Sequence, residues 1–330
     1  MFKFHLIRRI TILAVTIFLS ALTVQAQTAD LQLLLNPFPN EFKLNFEENL
    51  RFYSSEDVRG SQDKFRAMMY DLSLRYPLIL NEEHELYIGT DFDWIDLKTD
   101  ARLSGSGAAL PSDLYDLNFT LGYRRWIRDD WTTGGVLQVG SASNKLFDSW
   151  DETYLKGTAF LQVPHLEYTA WMFFLNADTD RDIPVLPGFA YMFPISRQAI
   201  AVVGIPVVGA AGNLSDKVSF QVGYLPIRNA NVRIGYSPIE PLTLSLAFDW
   251  RTRFFNRADR DRSRDRIEFE EKRATAGVSY DLTQRANIGL EGGYSFDRQI
   301  GEGRKRSDRN RNRILVDDGW FATARFQYKF

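Results

Sequence analysis

The sequence predicts an all-β fold: a transmembrane antiparallel up-and-down β-barrel of about 14 strands, with about 12 as the alternative, since such barrels have even strand numbers. Three observations lead there. Apolar and polar residues alternate along most of the chain, long charged segments take turns with tight ones, and the two ends carry export and assembly features.

The N-terminus reads as a secretory signal peptide. Lys3, Arg8 and Arg9 precede a charge-free run from Ile10 to Leu22. Val24-Gln25-Ala26 then offers small residues for cleavage between Ala26 and Gln27. The run is short for a membrane span, so removal is expected rather than anchoring. No Cys follows it to carry a lipid, and no later stretch is long and apolar enough for a transmembrane helix. The expected organisation is a signal peptide at 1–26, a short periplasmic segment at 27–41 and a barrel over 42–330.

The strands justify the barrel one by one. Successive side chains of a strand point to opposite faces. From Pro241 to Phe255, Leu242, Leu244, Leu246, Phe248, Trp250 and Phe254 share one face. Thr243, Ser245, Ala247, Asp249, Arg251 and Arg253 share the other. The stretches 286–296 and 116–124 repeat the pattern, as do 68–76, 86–97, 155–163, 166–174, 218–224 and 232–236. Each stripe has about the nine to eleven residues that a tilted strand needs to cross hydrocarbon. No amphipathic helix is available to cover these faces, so lipid is expected to cover them. Closure then pairs every backbone group. Fifteen candidate strands can be counted, one too many for fourteen. One of 185–193, 198–206 and 230–237 is therefore expected not to span.

Connections orient the barrel. The segments 300–319 and 256–266 are long and charged, as outside loops are, while 283–285 and 237–240 are tight turns. Counted from the N-terminus, 98–112 and 142–153 also fall outside. The last strand ends Gly319-Trp-Phe-Ala-Thr-Ala-Arg-Phe-Gln-Tyr-Lys-Phe330. Phe326, Tyr328 and Phe330 resemble the C-terminal signal that the outer-membrane assembly machinery reads.

Composition agrees. Aromatics make up 14 % of the chain, and there is no Cys, so stability must come without disulfides. The net charge of −2 gives no overall pull toward nucleic acid. With 3 His and no Cys, a zinc site is not expected, and no cofactor is implied. Asp91, Asp93 and Asp96 read as a solvated lumen wall, not a catalytic pair. Asp178, Asp180 and Asp182 lack the glycine and glutamate spacing of a calcium loop. Arg304, Lys305 and Arg306 lie in a basic outside segment, and Arg257, Arg260, Arg262, Arg264 and Arg266 in another. These loops lack aromatics for stacking bases and are expected to meet lipopolysaccharide phosphates. The sharper expectation is an anion-attracting mouth formed by Arg251, Arg253, Arg304, Lys305 and Arg306.

Pro187-Gly188-Phe189-Ala190-Tyr191, Gly204-Ile205-Pro206, Gly223-Tyr224-Leu225-Pro226 and Tyr236-Ser237-Pro238, with the terminal Phe330, resemble an uncharacterised family of Gram-negative outer-membrane β-barrels. That resemblance implies a barrel and a place in the outer membrane, but no activity and no site residues. A porin-like barrel passing small solutes is the leading expectation. A non-conducting structural or ligand-binding barrel comes second, and a barrel-embedded enzyme is not expected. The partners foreseen are outer-membrane lipid, lipopolysaccharide, the assembly machinery and small solutes, with no nucleic acid.

Overall fold

The computed structural model describes residues 45–127, 131–180, 184–225, 229–260 and 262–329. The signal-peptide residues Ala26 and Gln27, the segment 27–41, Asp182, Pro226 and the terminal Phe330 lie outside the described residues.

Eighteen strands form among the described residues. The first nine are β1 (Asn45–Tyr53), β2 (Glu56–Asp57), β3 (Lys64–Leu80), β4 (His84–Lys98), β5 (Asp113–Trp126), β6 (Thr132–Ser143), β7 (Thr153–Pro164), β8 (Ala170–Asp178) and β9 (Val185–Ser196). The rest are β10 (Ala199–Ile205), β11 (Val208–Ser215), β12 (Val218–Leu225), β13 (Asn229–Ile239), β14 (Leu242–Phe255), β15 (Arg266–Asp281), β16 (Ala286–Gly303), β17 (Arg313–Val316) and β18 (Gly319–Lys329). Successive strands of the ring pair antiparallel, and β1 pairs with both β3 and β18, which closes the sheet. The short β2 and β17 stand outside the ring, leaving a closed barrel of 16 strands.

This corrects the expected count of about 14. All three doubtful segments are strands of the ring, β9, β10 and β13. The physical reason lies in β10 and β11, of 7 and 8 residues, joined through only Pro206-Val207. Their alternation is faint because Ile200 and Val202 point inward while Val203 and Ile205 point out, and Gly209, Ala210, Ala211 and Gly212 follow. With sixteen strands the counts from both ends agree. The loops after β4, β6 and β14 open on one rim, and Asn45 meets Lys329 on the other. A smaller correction concerns β8, which begins at Ala170 because Leu166 to Thr169 form a turn closed by Thr169 N donating to Leu166 O at 3.0 Å.

Outward side chains form an apolar belt. Leu246 and Leu290 are 64 % and 65 % exposed at its middle. Tyr76, Tyr123, Tyr236 and Tyr280 ring the rim that holds the chain ends, and Trp320 and Tyr294 stack edge-on toward the other. Aromatic girdles at both edges of an apolar band are the lipid-facing surface of a membrane barrel.

The wall is uneven. β10, β11 and β12 have 7, 8 and 8 residues, whereas β3, β15 and β16 have 17, 16 and 18. The upper parts of the tall strands reverse their pattern. On β15, Ile267 and Phe269 point inward, while Glu268 and Glu270 take the outward face. A helix, α1 (Arg306–Arg311), covers that outward face: Arg309 pairs with Glu268 and lies over the Phe254 ring at 5.2 Å. These strand ends therefore lie outside the apolar belt.

Candidate functional site in the barrel lumen

The lumen is stratified. At the upper rim, Phe255, Ile267, Phe269 and Ile300 of β14 to β16 pack against Ile95, Leu97 and Leu114 of β4 and β5. The ribbon formed by β14, β15 and β16 leans across the opening to make this core. Counted around the ring, β14 is eight strands from β6 in either direction, yet their ends touch. Asn256 and Ser143 form a parallel bridge, with Asn256 N donating to Ala142 O at 2.7 Å. The tip of the ribbon is tied down by Arg260 to Glu152 at 2.7 Å and by Arg266 to Asp180 at 2.9 Å. Both partners of the first pair are 3 % exposed.

Lifting this ribbon would be expensive. Returning four large apolar side chains to water costs roughly 1.5–3 kcal/mol each, about 6–12 kcal/mol together, before the tip contacts are counted. The ribbon is therefore a fixed hood.

Beneath the apolar core lies a charged layer. Arg253 of β14 meets Asp71 of β3 at 3.0 Å and Asp93 of β4 at 3.7 Å across the interior. Tyr53 donates its hydroxyl to Glu271 at 2.8 Å, and Arg273 lies 3.6 Å from Glu271 and 3.7 Å from Asp249. Arg51 donates to Thr323 at 3.0 Å. Arg75 holds Asp91 at 2.8 Å, and Tyr154 donates to Asp116 at 2.6 Å. Charges removed from water need partners of this kind. Asp91 and Asp93 are thus internal tie points, not the solvated wall expected of them.

Lower down, the two sides of the lumen differ. On the β3 to β8 side it is packed. Arg124 donates to Glu85 at 2.9 Å with both side chains 1 % exposed, and the Tyr87 ring lies over Gly122, where a Cβ would sit 1.9 Å from it. On the β11 to β14 side, Ser219, Gln221, Asn231 and Ser245 point inward and remain part-exposed. Gly223, Gly235 and Gly277 lie among them, and the side chains of Asn231, Ser219 and Glu291 lean over these glycines. Arg233, Glu291 and Arg325 form the charged floor of this open sector, at 3.2 and 3.7 Å.

The five residues of the expected anion mouth fall into two groups. Arg251 and Arg253 are successive inward positions of β14, the first half-buried and the second buried. Arg304, Lys305 and Arg306 are exposed at the start of α1, on the far face of the ribbon. The structure does not bring the groups together, because Phe255, Ile267 and Ile300 stand between them. Arg257 and Arg260 are also committed, to Glu302 at 2.9 Å and to Glu152. Sequence reasoning missed Asp71, Glu271 and Arg273 as members of the charged layer. Their inward register was readable, but their partners lie on strands remote in sequence. Phe326 and Tyr328 sit on the outward face of β18, where Phe326 meets Phe46 of β1 edge-on at 6.2 Å across the closing seam.

Among the described residues, no group of three or more His, Cys, Asp or Glu could hold a metal ion. No helix among them is long and apolar enough to cross a membrane.

No protein-family model matches the chain, and no curated protein matches it. Solved structures similar in architecture include an outer-membrane channel from Pseudomonas putida F1, 12 % identical, covering 89 % of this chain and 99 % of its own, with a TM-score of 0.38. The toluene transporter TodX of Pseudomonas putida is 11 % identical over 93 % of this chain and 95 % of its own, with a TM-score of 0.37. The β domain of the Bordetella autotransporter BrkA is 9 % identical over 87 % of this chain and all of its own, with a TM-score of 0.34. At these identities and scores no solute, residue role or mechanism is carried over from them. What stands on this chain's own geometry is a closed antiparallel β-barrel with a partly open lumen.

Proposed function

We propose that the chain is an outer-membrane β-barrel that passes small polar solutes through its lumen. One observation carries this reading: the inward faces of β11 to β14 bear small and polar side chains that remain part-exposed, so the interior is not filled there. Eight strands fill their own interior and sixteen to eighteen can leave an aqueous channel. The apolar belt with its tyrosine ring supports insertion in a membrane, and a β-barrel that closes on itself leaves no unpaired edge to lipid. The outer membrane of a Gram-negative cell is the location proposed, after removal of residues 1–26, with lipopolysaccharide around the exposed Arg304, Lys305 and Arg306.

The test is conductance of the purified protein in a planar bilayer, together with membrane fractionation and mass analysis of the mature N-terminus. Discrete conductance steps and a chain starting at Gln27 in the outer membrane are the expected results. A soluble periplasmic protein would refute the location, and a silent bilayer would refute the channel. The second reading is a non-conducting barrel, and the packed apolar core under the hood favours it.

A further inference from the structure

We infer that the open sector binds an amphipathic anion, with its carboxylate or phosphate at Arg233 and Arg325 and its apolar body along the inner face of β8 to β11. This names the solute class for the channel reading and rests, as that reading does, on the part-exposed lumen.

Three observations lead to it. First, the inner face of β8 to β10 is apolar. A water-filled barrel turns polar side chains inward, and β12 to β16 do so. On β8 to β10, however, Ala170, Phe174, Ala190, Met192, Ile200 and Val202 form one inward cluster. Phe174 and Ile200 keep part of their surface exposed. Second, one row of paired residues joins this arc to a guanidinium. Ile200 pairs with Ala211, Ala211 with Gln221, and Gln221 with Arg233, all on the inward face. At about 4.8 Å per strand the row covers about 14 Å. It passes from apolar through small to polar and charged, and all four side chains are part-exposed.

Third, the charged end has donors to spare. Arg233 and Arg325 share a single carboxylate, Glu291, at 3.2 and 3.7 Å. Among the described residues, Nε of Arg325 is buried without a hydrogen-bond partner. On the flanking strands, Asp249 is set against Arg273 at 3.7 Å, and Glu47 accepts from Asn49 Nδ2 at 3.0 Å. Two guanidiniums on one carboxylate leave one positive charge over, in a setting where buried donors need acceptors. The guanidinium fork matches a carboxylate or a phosphate. An apolar surface with a few placed polar groups is also how sites for small molecules are built. Every residue of the row and of its charged end lies within a paired strand.

The probe is phenylbutyrate, which joins an aryl body to one carboxylate. Its neutral amide keeps the body, and acetate keeps only the charge. Each is measured by equilibrium dialysis against the purified protein in lipid nanodiscs, with empty discs as the blank. Saturable binding of phenylbutyrate, about tenfold weaker binding of the amide and none of acetate are expected. Arg233→Gln should bring phenylbutyrate down to the affinity of the amide and leave the amide unchanged. Ala211→Phe fills the row and should abolish binding of both. Val222→Phe, next in sequence to Gln221 but 41 % exposed on the outward face, should change nothing. Heat-modifiable mobility checks the fold of each variant, and Arg233→Gln tests the site independently of the bulky substitution. Equal affinity for acid and amide, or no effect of Arg233→Gln, would overturn the site. So would undiminished binding by folded Ala211→Phe, or no saturable binding by the parent. A parent that conducts without binding the probe loses the site and keeps the channel. One that binds while the bilayer stays silent loses the channel and keeps the site.

Discussion

Replacing Leu246 with Arg tests the facing of the barrel at its most informative point. Leu246 lies four residues above Leu242, the first residue of β14. At about 3.3 Å per residue and a tilt near 40°, it sits roughly 10 Å above the lower edge, close to the middle of a band about 25 Å tall. It is 64 % exposed, with Ile234 and Ala276 beside it on β13 and β15, so an arginine has no acidic neighbour to meet. The expected penalty is about 2–4 kcal/mol, as for cations at the midplane of such barrels. That is a roughly 30- to 700-fold fall in the folding constant. Ser245 is one residue away but inward, with Gly235 and Gly277 directly beside it. Ser245→Arg meets water there and some repulsion from Arg233 and Arg325, so it should lose less than about 1 kcal/mol, the scale of solvated charge pairs. Urea unfolding in lipid vesicles, read by heat-modifiable gel mobility, measures both. Equal penalties, or a larger one for Ser245→Arg, would refute the assignment of lumen and lipid faces.

Other tests address the interior and the two rims. Glu85→Ala takes a carboxylate from the buried Arg124 guanidinium, 1 % exposed, and should destabilise the barrel in the same assay, with about 3–5 kcal/mol as the upper bound. The double variant with Arg124→Ala should recover part of that loss. Deleting Phe330, or replacing Phe326 with Ala and so emptying its contact with Phe46, should lower the yield of folded barrel in cells; undiminished assembly would count against the terminal signal. For the hood tip, burial alone would raise the Glu152 carboxyl, but hydrogen bonds from Ser149 and Arg260 hold it below its ordinary range. Its pairing is therefore in force above the ordinary glutamate value of about 4.3 and is lost as the pH falls through the lower folded value. Protease nicking of the 256–265 loop, probed with an acid-active protease, should stay low at pH 5 and rise only below the ordinary value. Nicking that begins near pH 6 would contradict it.

Much of this architecture can be read from the chain, because an apolar outward face and a polar inward one impose a two-residue period. Leu242 to Trp250 and Ala286 to Phe296 show it without help from tertiary structure. Two things escape. The strands β10 and β11 are short, glycine- and alanine-rich and apolar on both faces, so the period that counts strands disappears. The upper strands invert the period, as in Ile267-Glu268-Phe269-Glu270, because a packed core inside and a helix outside replace water and lipid. That inversion is itself a signal: glutamates in the apolar phase mark residues that have left the bilayer. The charged layer is harder to foresee. Arg253 and Asp71 are 182 positions apart, and nothing local to either selects the other.

The uneven wall has a consequence for the membrane itself. A strand of 7 residues tilted near 40° rises only about 18 Å, short of the band of about 25 Å that a typical barrel presents. In the membrane setting proposed above, lipids touching β10 to β12 must shorten, tilt or give way to another protein, while those along β3 and β15 need not. The protein thereby carries a thickness gradient around its circumference. In a mixed bilayer that gradient sorts acyl chains by length, gathering the shorter ones along a single arc of the barrel.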